Sequence, residues 1–81
     1  MSGYYVDVYD CAGRLSQTTC TSFAHCVDVA GMLASLYPRK AVRAFNGAQM
    51  DERFDGLTEG ERDAIFDAVS NGHSRAERAS K

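Results

Sequence analysis

Two cysteines and a histidine lie within seven residues of this 81-residue chain, in the stretch TTCTSFAHC at residues 18–26, and a third cysteine, Cys11, precedes them. Thiols and imidazoles are the groups that bind zinc or act as nucleophile and base. Zinc ligands usually come as closely spaced pairs, but this sequence contains no C-x-x-C pair. A catalytic thiol needs a neighbouring base, and none is identifiable for Cys11, which lies in the turn and is expected to be the most exposed cysteine.

Helical phase separates the members of this group further. Neighbouring residues on a helix point about 100° apart, so His25 and Cys26 face different surroundings. Cys26 belongs to an apolar stripe, whereas His25 lies with Asp28, at the i, i+3 spacing, on the solvent-exposed side of the helix. We therefore predict no metal, no cofactor and no catalytic residue, and we do not expect an enzyme. A regulator that uses the three cysteines as thiols or zinc ligands remains the third alternative.

The cysteine stretch joins two predicted elements. YYVDVYD predicts a strand over 4–10, DCAG a turn, and RLSQTTC a return strand whose bulge places Tyr9 opposite Leu15 and Tyr4 opposite Cys20. Thr21 or Ser22 caps the helix that follows, which ends at Pro38. Its expected apolar stripe is Phe23, Cys26, Val27, Ala30, Leu33, Ala34 and Tyr37, widened by Val29 and Leu36.

The second half predicts a third strand over 40–45 and then two alternatives for 48–54, a short fourth strand or an irregular segment. Thr58 and Glu61 form a capping-box pattern before a second helix that Gly72 would end. The apolar face of this helix is expected to be Ile65, Phe66, Ala68 and Val69. We predict one α+β domain over 1–72, a small antiparallel sheet with helices on one face, and a flexible tail over 73–81.

Composition is that of a globular domain, with 44% apolar and 25% charged residues. No apolar run approaches the roughly 20 residues of a membrane span, and the N-terminal residues lack the pattern of a secretory signal. We therefore expect a cytoplasmic protein whose cysteines stay reduced.

Charge is concentrated in residues 51–67, which carry seven acidic and two basic residues. Two interpretations are open. The segment could be a surface that binds a basic partner or imitates a nucleic-acid backbone, or it could be solvated chain with acidic residues favoured at a helix N-terminus. The candidate partner-binding residues are Asp51, Glu52, Asp55, Glu59, Glu61, Asp63 and Asp67.

Secondary candidates lie in the sheet and the turn before the third strand. Arg39, Lys40 and Arg43 form a basic trio, but a pI of about 5.5 argues against direct nucleic-acid binding. Tyr5 and Tyr9 share a strand face that is either a protein-contact patch or part of the core, and the core position is the favoured interpretation.

The hairpin–helix stretch GYYVDVYDCAGRLSQTTCTSF and AHCVDVAGMLASLYP, with the acidic DERFDGLTEGERD, resembles the small α+β proteins that phages and other mobile elements encode against host defences, above all the anti-CRISPR proteins. The resemblance is one of size, layout and charge. It implies a stoichiometric inhibitor that binds a Cas subunit or complex and blocks target DNA binding through the acidic segment.

The leading hypothesis is thus a non-catalytic inhibitor of a host nucleic-acid-binding machine. The alternative is a homodimeric structural or regulatory module, accessory or antitoxin-like, because the apolar surface of 23–37 could exceed what a small sheet covers.

Overall fold

The computed structural model describes residues 3–49 and 54–79. Three strands form an antiparallel sheet in the order β2-β1-β3, and two helices share one core with one of its faces. The predicted α+β class is confirmed. In chain order the elements are β1 (Tyr4–Asp10), β2 (Gly13–Cys20), α1 (Phe23–Leu36), β3 (Ala41–Asn46), a 3₁₀ turn (Gly47–Gln49) and α2 (Glu59–Ala79).

The β1–β2 hairpin closes where the sequence predicts. Asp10 Oδ1 accepts a hydrogen bond from the Ala12 amide at 2.8 Å, which forms a local turn within the connection. Gly13 has a φ of +132°, a conformation that a side chain would strain. The turn therefore depends on a short acceptor at its start and a glycine at its end.

The hairpin register differs from the prediction at one position. Tyr4 pairs with Cys20 as expected, but Tyr9 pairs with Arg14 rather than Leu15. The ladder shifts between Val8 and Tyr9, which leaves Leu15 as the extra residue of a bulge. Leu15 is accordingly 46% exposed.

Alternation along β1 divides its side chains between two environments. Val6 and Val8 are fully buried beneath the helices, and Val42 of β3, which is 9% exposed, belongs to the same core. Tyr5 and Tyr9 therefore lie on the opposite face, away from the helices, and the prediction that they belong to the core is wrong. Valine buries without leaving a polar group unpaired, whereas a tyrosine hydroxyl needs a partner, so the valines take the inner face.

Helix α1 begins at the predicted joint, where Ser22 Oγ accepts a hydrogen bond from the His25 amide at 3.1 Å. Its predicted apolar stripe is confirmed: four members are buried and three are partly buried against the core. Leu36 is the exception, since its side chain is 65% exposed. It lies beyond the edge of the surface that the sheet and α2 cover.

The predicted end of the second helix at Gly72 is wrong, because α2 continues to Ala79 and residues 73–79 are helical rather than an irregular tail. Gly72 serves packing instead of termination. A Cβ at this position would lie 2.7 Å from the Ala34 Cβ and would overlap the Gly31 carbonyl oxygen. Only glycine permits the two helices to approach this closely. Ser35 Oγ then donates to the Gly72 carbonyl oxygen at 3.2 Å.

The segment between β3 and α2 carries the two alternatives left open for 48–54. Gly47–Gln49 forms a 3₁₀ turn, and residues 50–53 lie outside the described residues, so the fourth strand is untested there. The chain returns beside β3 at Asp55, whose carbonyl oxygen accepts from the Asn46 amide at 2.8 Å. This bond sets the position from which α2 starts.

We expect Gly72→Ala to lower the free energy of unfolding by about 1–3 kcal/mol, because the added methyl group overpacks a contact between helices. Urea unfolding followed by circular dichroism measures the difference. Gly60→Ala is the matched control in the same helix, since its Cβ would meet nothing within 4 Å. Alanine there should be neutral or stabilising. An equal loss in both variants would contradict the close-approach explanation.

Candidate binding surface

The cysteine–histidine group is divided between the core and the surface. Burial raises the pKa of the Cys26 thiol to about 12, and burial also raises that of Cys20, so both stay protonated in the core. Cys11 is exposed in the hairpin turn. His25 Nδ1 accepts a hydrogen bond from the Thr21 amide at 3.2 Å, which is a local contact at the start of α1. Within residues 3–49 and 54–79, no three His, Cys, Asp or Glu side chains are arranged to hold a metal ion.

Asp55 of the acidic segment is turned inward and only 8% exposed. Its carboxylate receives two hydrogen bonds from the Arg62 guanidinium, both at 3.3 Å, and one from the Leu57 amide at 3.0 Å. Burial by itself would raise the pKa of Asp55, but these bonds and the charge of Arg62 outweigh it and hold the pKa below its ordinary value. The same pairing raises the pKa of Arg62. Asp55 thus anchors the chain that leads into α2.

Glu61 is also committed to internal contacts. Its Oε1 accepts from the Thr58 amide at 3.0 Å while Thr58 Oγ1 accepts from the Glu61 amide at 3.1 Å, which confirms the predicted capping box. Its Oε2 accepts from the Tyr4 hydroxyl at 2.8 Å, a hydrogen bond that raises the pKa of Tyr4. Glu61 therefore ties the start of α2 to the first strand.

Three acidic candidates remain on the outer surface of α2. Glu59, Asp63 and Asp67 are exposed and follow one another at intervals of four residues. Positions four apart on a helix differ by about 40° in direction and about 6 Å in height, so the three carboxylates share one sector. We call these residues, with Phe66 between them, the outer stripe of α2. Asp51 and Glu52 lie outside the described residues.

Phe66 is the unexpected member of the outer stripe, because the sequence pattern placed it on the apolar face. Its side chain is 70% exposed, whereas its neighbour Ile65 is 6% exposed. An exposed aromatic ring among carboxylates offers both apolar area and charge to a partner. The sequence signal was present, since Phe66 lies about 100° from the buried Ile65.

A second surface lies on the face of the sheet opposite the helices, which we call the open face. The rings of Tyr5 and Phe45 stack with their centroids 5.1 Å apart. The Arg43 guanidinium lies 5.6 Å from the Phe45 centroid and 4.9 Å from that of Phe54. Cation–π contacts of this kind fix the arginine in place. Phe54 is 75% exposed and was not identified from the sequence.

Asp7 lies at the centre of the open face and is only 2% exposed. Its Oδ2 accepts from the Tyr9 hydroxyl at 2.8 Å and lies 3.8 Å from the Arg14 guanidinium. The hydrogen bond to Asp7 raises the pKa of Tyr9. Asp7 Oδ1 is buried without a hydrogen-bond partner in the described chain. This carboxylate fixes the position of Tyr9 and draws Arg14 toward the same face.

The structure does not bring the predicted basic trio together as one patch. Lys40 pairs with Asp10 at 3.9 Å, at the end of β1, and Arg39 is exposed in the turn after α1. Arg43 alone joins Tyr5 and Tyr9 on the open face. The proposed pairing of Arg43 with Asp51 or Glu52 involves positions outside the described residues.

Asp55→Asn is expected to lower the free energy of unfolding at pH 7 by about 1–3 kcal/mol, because charge-assisted hydrogen bonds are lost. The folded pKa of Asp55 is lowered, so its stabilisation is present above the ordinary value of 3.8 and disappears as the pH falls through the folded pKa. Urea unfolding across this pH range should show the two proteins converging in acid. Asp67→Asn, which removes an exposed carboxylate, is the control and should be neutral. A difference that persists unchanged in acid would contradict the ion-pair explanation.

No helix in the described part of the chain is both long and apolar enough to cross a lipid bilayer.

Neither a family model, nor a curated protein, nor a solved structure matches this chain.

Proposed function

We propose that this chain is a non-catalytic binding protein that acts as a stoichiometric inhibitor of a host CRISPR effector. In this proposal it binds a Cas subunit or complex in the cytoplasm and blocks target DNA binding. The observation that carries the proposal is the outer stripe of α2, which places Glu59, Asp63 and Asp67 on one exposed sector beside Phe66. Surfaces that bind DNA are rich in lysine and arginine, so an acidic stripe is complementary to them.

The outer stripe is suited to contact with basic side chains. Its carboxylates recur about every 6 Å along the helix, so each can pair with a separate lysine or arginine. Arg62 also lies close enough to Glu59 and Asp63 for their charges to raise its pKa further, and it therefore offsets part of the stripe's charge. Affinity would then come from a few ion pairs, with Phe66 as an apolar anchor beside them.

The test is a titration of purified CRISPR effector complexes with the chain, read as loss of labelled target DNA in a mobility-shift assay. Inhibition should be complete near one chain per effector for the type that it targets. The triple variant Glu59→Gln, Asp63→Asn, Asp67→Asn should bind about 3- to 150-fold more weakly, as expected for three exposed ion pairs of about 0.2–1 kcal/mol each.

The matched control is Asp28→Asn, which removes one exposed carboxylate from α1 and leaves the outer stripe intact. It should retain full inhibition. Binding of the wild type should also weaken as salt increases, while that of the triple variant should depend less on salt. If the triple variant inhibits as well as the wild type, the stripe is not the contact. If no effector type is inhibited, the inhibitor proposal fails.

A second candidate function, the homodimeric interaction module, is favoured by a different surface. Met32 and Leu36, four residues apart on α1, are 52% and 65% exposed. Beside them a groove of about 490 Å³ runs between the two helices, with Asp28 and Arg75 on its walls. A ridge next to a groove, with one charge of each sign, is self-complementary across a twofold axis.

The dimer is tested by sedimentation of the purified chain at high micromolar concentration. The module predicts a dimer that Met32→Gln with Leu36→Gln converts to a monomer, because the apolar ridge is lost. Leu15→Gln removes a comparable exposed side chain from the hairpin bulge and should leave the dimer unchanged. A monomeric wild type would eliminate this candidate.

A further inference from the structure

Strand β2 forms one edge of the sheet, since the strand order β2-β1-β3 gives it a single neighbour among the described strands. An edge strand has N–H and C=O groups that can pair with a strand of another molecule, and proteins commonly prevent this with charged residues, proline or a bulge. In β2 the bulge and Arg14 lie at the end next to the hairpin turn. Residues 16–20, SQTTC, contain neither a charge nor a proline. This part of the edge therefore carries none of the usual protection.

Hydrogen bonds and register identify which backbone groups of β2 point outward. The Gly47 amide donates to the Gly3 carbonyl oxygen at 3.0 Å, so the backbone of Gly3 faces β3. The direction reverses at each residue of an antiparallel strand, and Val6, three residues further on, therefore faces β2. Its partner in the register is Thr18, which faces β1 in return. The residues on either side of Thr18 consequently point their N–H and C=O groups away from the sheet.

These two outward-facing residues are Gln17 and Thr19, and both are exposed. In the described parts of the chain, no backbone group bonds to their outer N–H and C=O groups, because β2 pairs with β1 alone. Their side chains lie on the open face, opposite Asp7 and Tyr5 of β1. The edge is thus accessible at two consecutive hydrogen-bonding positions.

The two positions are spaced so that they can pair with those of a second copy. A twofold axis perpendicular to the sheet at Thr18 places Gln17 of each copy opposite Thr19 of the other. Each such pair exchanges two N–H···O bonds, so the two pairs form about four backbone hydrogen bonds. Thr18 then lies opposite its own counterpart, and threonine pairs are favourable across strands. The paired span is 16–20 in both copies, which leaves Arg14 outside it, so no like charges meet.

We propose that β2 is an interface with a second copy of this chain, in which residues 16–20 of the two copies pair antiparallel about Thr18 and join their sheets into one. The interface is separate from the groove beside Met32 and Leu36. Helix α2, which carries the outer stripe, packs on α1 and β3, so both copies keep the stripe exposed. Such a dimer presents two stripes to a partner, but its formation does not depend on the inhibitor proposal.

Amide exchange with solvent, followed by NMR on the ¹⁵N-labelled chain at low and high micromolar concentrations, tests the interface at each residue. The Gln17 and Thr19 amides are bonded only in the dimer. They should therefore exchange about tenfold more slowly once about nine-tenths of the chain is dimeric. The Thr18 amide is the internal control, since it faces β1 within each copy and should be protected at both concentrations. Sedimentation of the same samples should show the monomer converting to a dimer.

Two charged variants test the register. Gln17→Lys with Thr19→Lys places like charges directly opposite each other in both pairs between the copies, and should weaken the dimer about 2- to 30-fold. Gln17→Lys with Thr19→Glu places opposite charges there and should dimerise at least as tightly as the wild type. The variants differ at one position only. In both of them the introduced lysine lies opposite Asp7 of its own chain, so its effect on the fold is shared.

A wild-type chain that stays monomeric at high micromolar concentration overturns the proposal. A dimer in which the Gln17 and Thr19 amides exchange as they do in the monomer also overturns it and leaves the groove as the alternative interface. Protection that does not change with concentration would place the partner strand within one chain, which contradicts pairing between copies. Equal dimerisation of the two charged variants contradicts the register. If these variants do not fold, the exchange experiment still decides, because it uses the wild-type chain.

Discussion

The close approach of the two helices at Gly72 determines how the rest of the molecule is arranged. Because no side chain separates Gly72 from the Gly31 carbonyl oxygen, α2 packs on α1 rather than across the sheet. Only α1 then covers most of the inner face, which leaves a groove between α2 and the edge of β3. The same placement turns Phe66 outward and the Ile65 side chain into the core. The groove beside β3 and the exposure of Phe66 are thus both consequences of the contact between Gly31 and Gly72.

The acidic segment combines structural and surface roles that its net charge conceals. Asp55 and Glu61 are used inside the molecule, where they tie the chain before α2 to Arg62 and the start of α2 to Tyr4. Glu59, Asp63 and Asp67 are exposed. A buried carboxylate with charged and backbone donors contributes to stability, whereas an exposed one contributes little and is available to a partner. Neutralising the whole segment would therefore lower the stability of the fold and weaken partner binding at the same time. Substitutions at Asp55 report on stability, whereas substitutions at Glu59, Asp63 and Asp67 report on binding.

The central strand β1 serves both faces of the sheet. Its valines form the core, while Tyr5, Asp7 and Tyr9 form the open face with Arg43. The buried Asp7 carboxylate receives one hydrogen bond and one long ion pair, which is fewer contacts than a buried charge usually has. Such a group is retained at a cost in desolvation, and here its effect is to hold Tyr9 and draw Arg14 over the sheet. The open face is consequently an ordered surface of aromatic rings and arginines.

The amino-acid sequence was enough to predict the helices and strands and the residues at which they begin. Alternation gave β1, Asp10 and Gly13 closed the hairpin, and Ser22 and Thr58 began the two helices, because each depends on residues only a few positions apart. It also separated His25 from Cys26. Packing between distant residues sets which face of β1 lies inside, continues α2 through Gly72 instead of ending it there, and leaves only some of the carboxylates exposed. These outcomes depend on contacts between residues distant in the chain, such as Tyr4 with Glu61 and Gly31 with Gly72. A local sequence pattern does not predict such contacts.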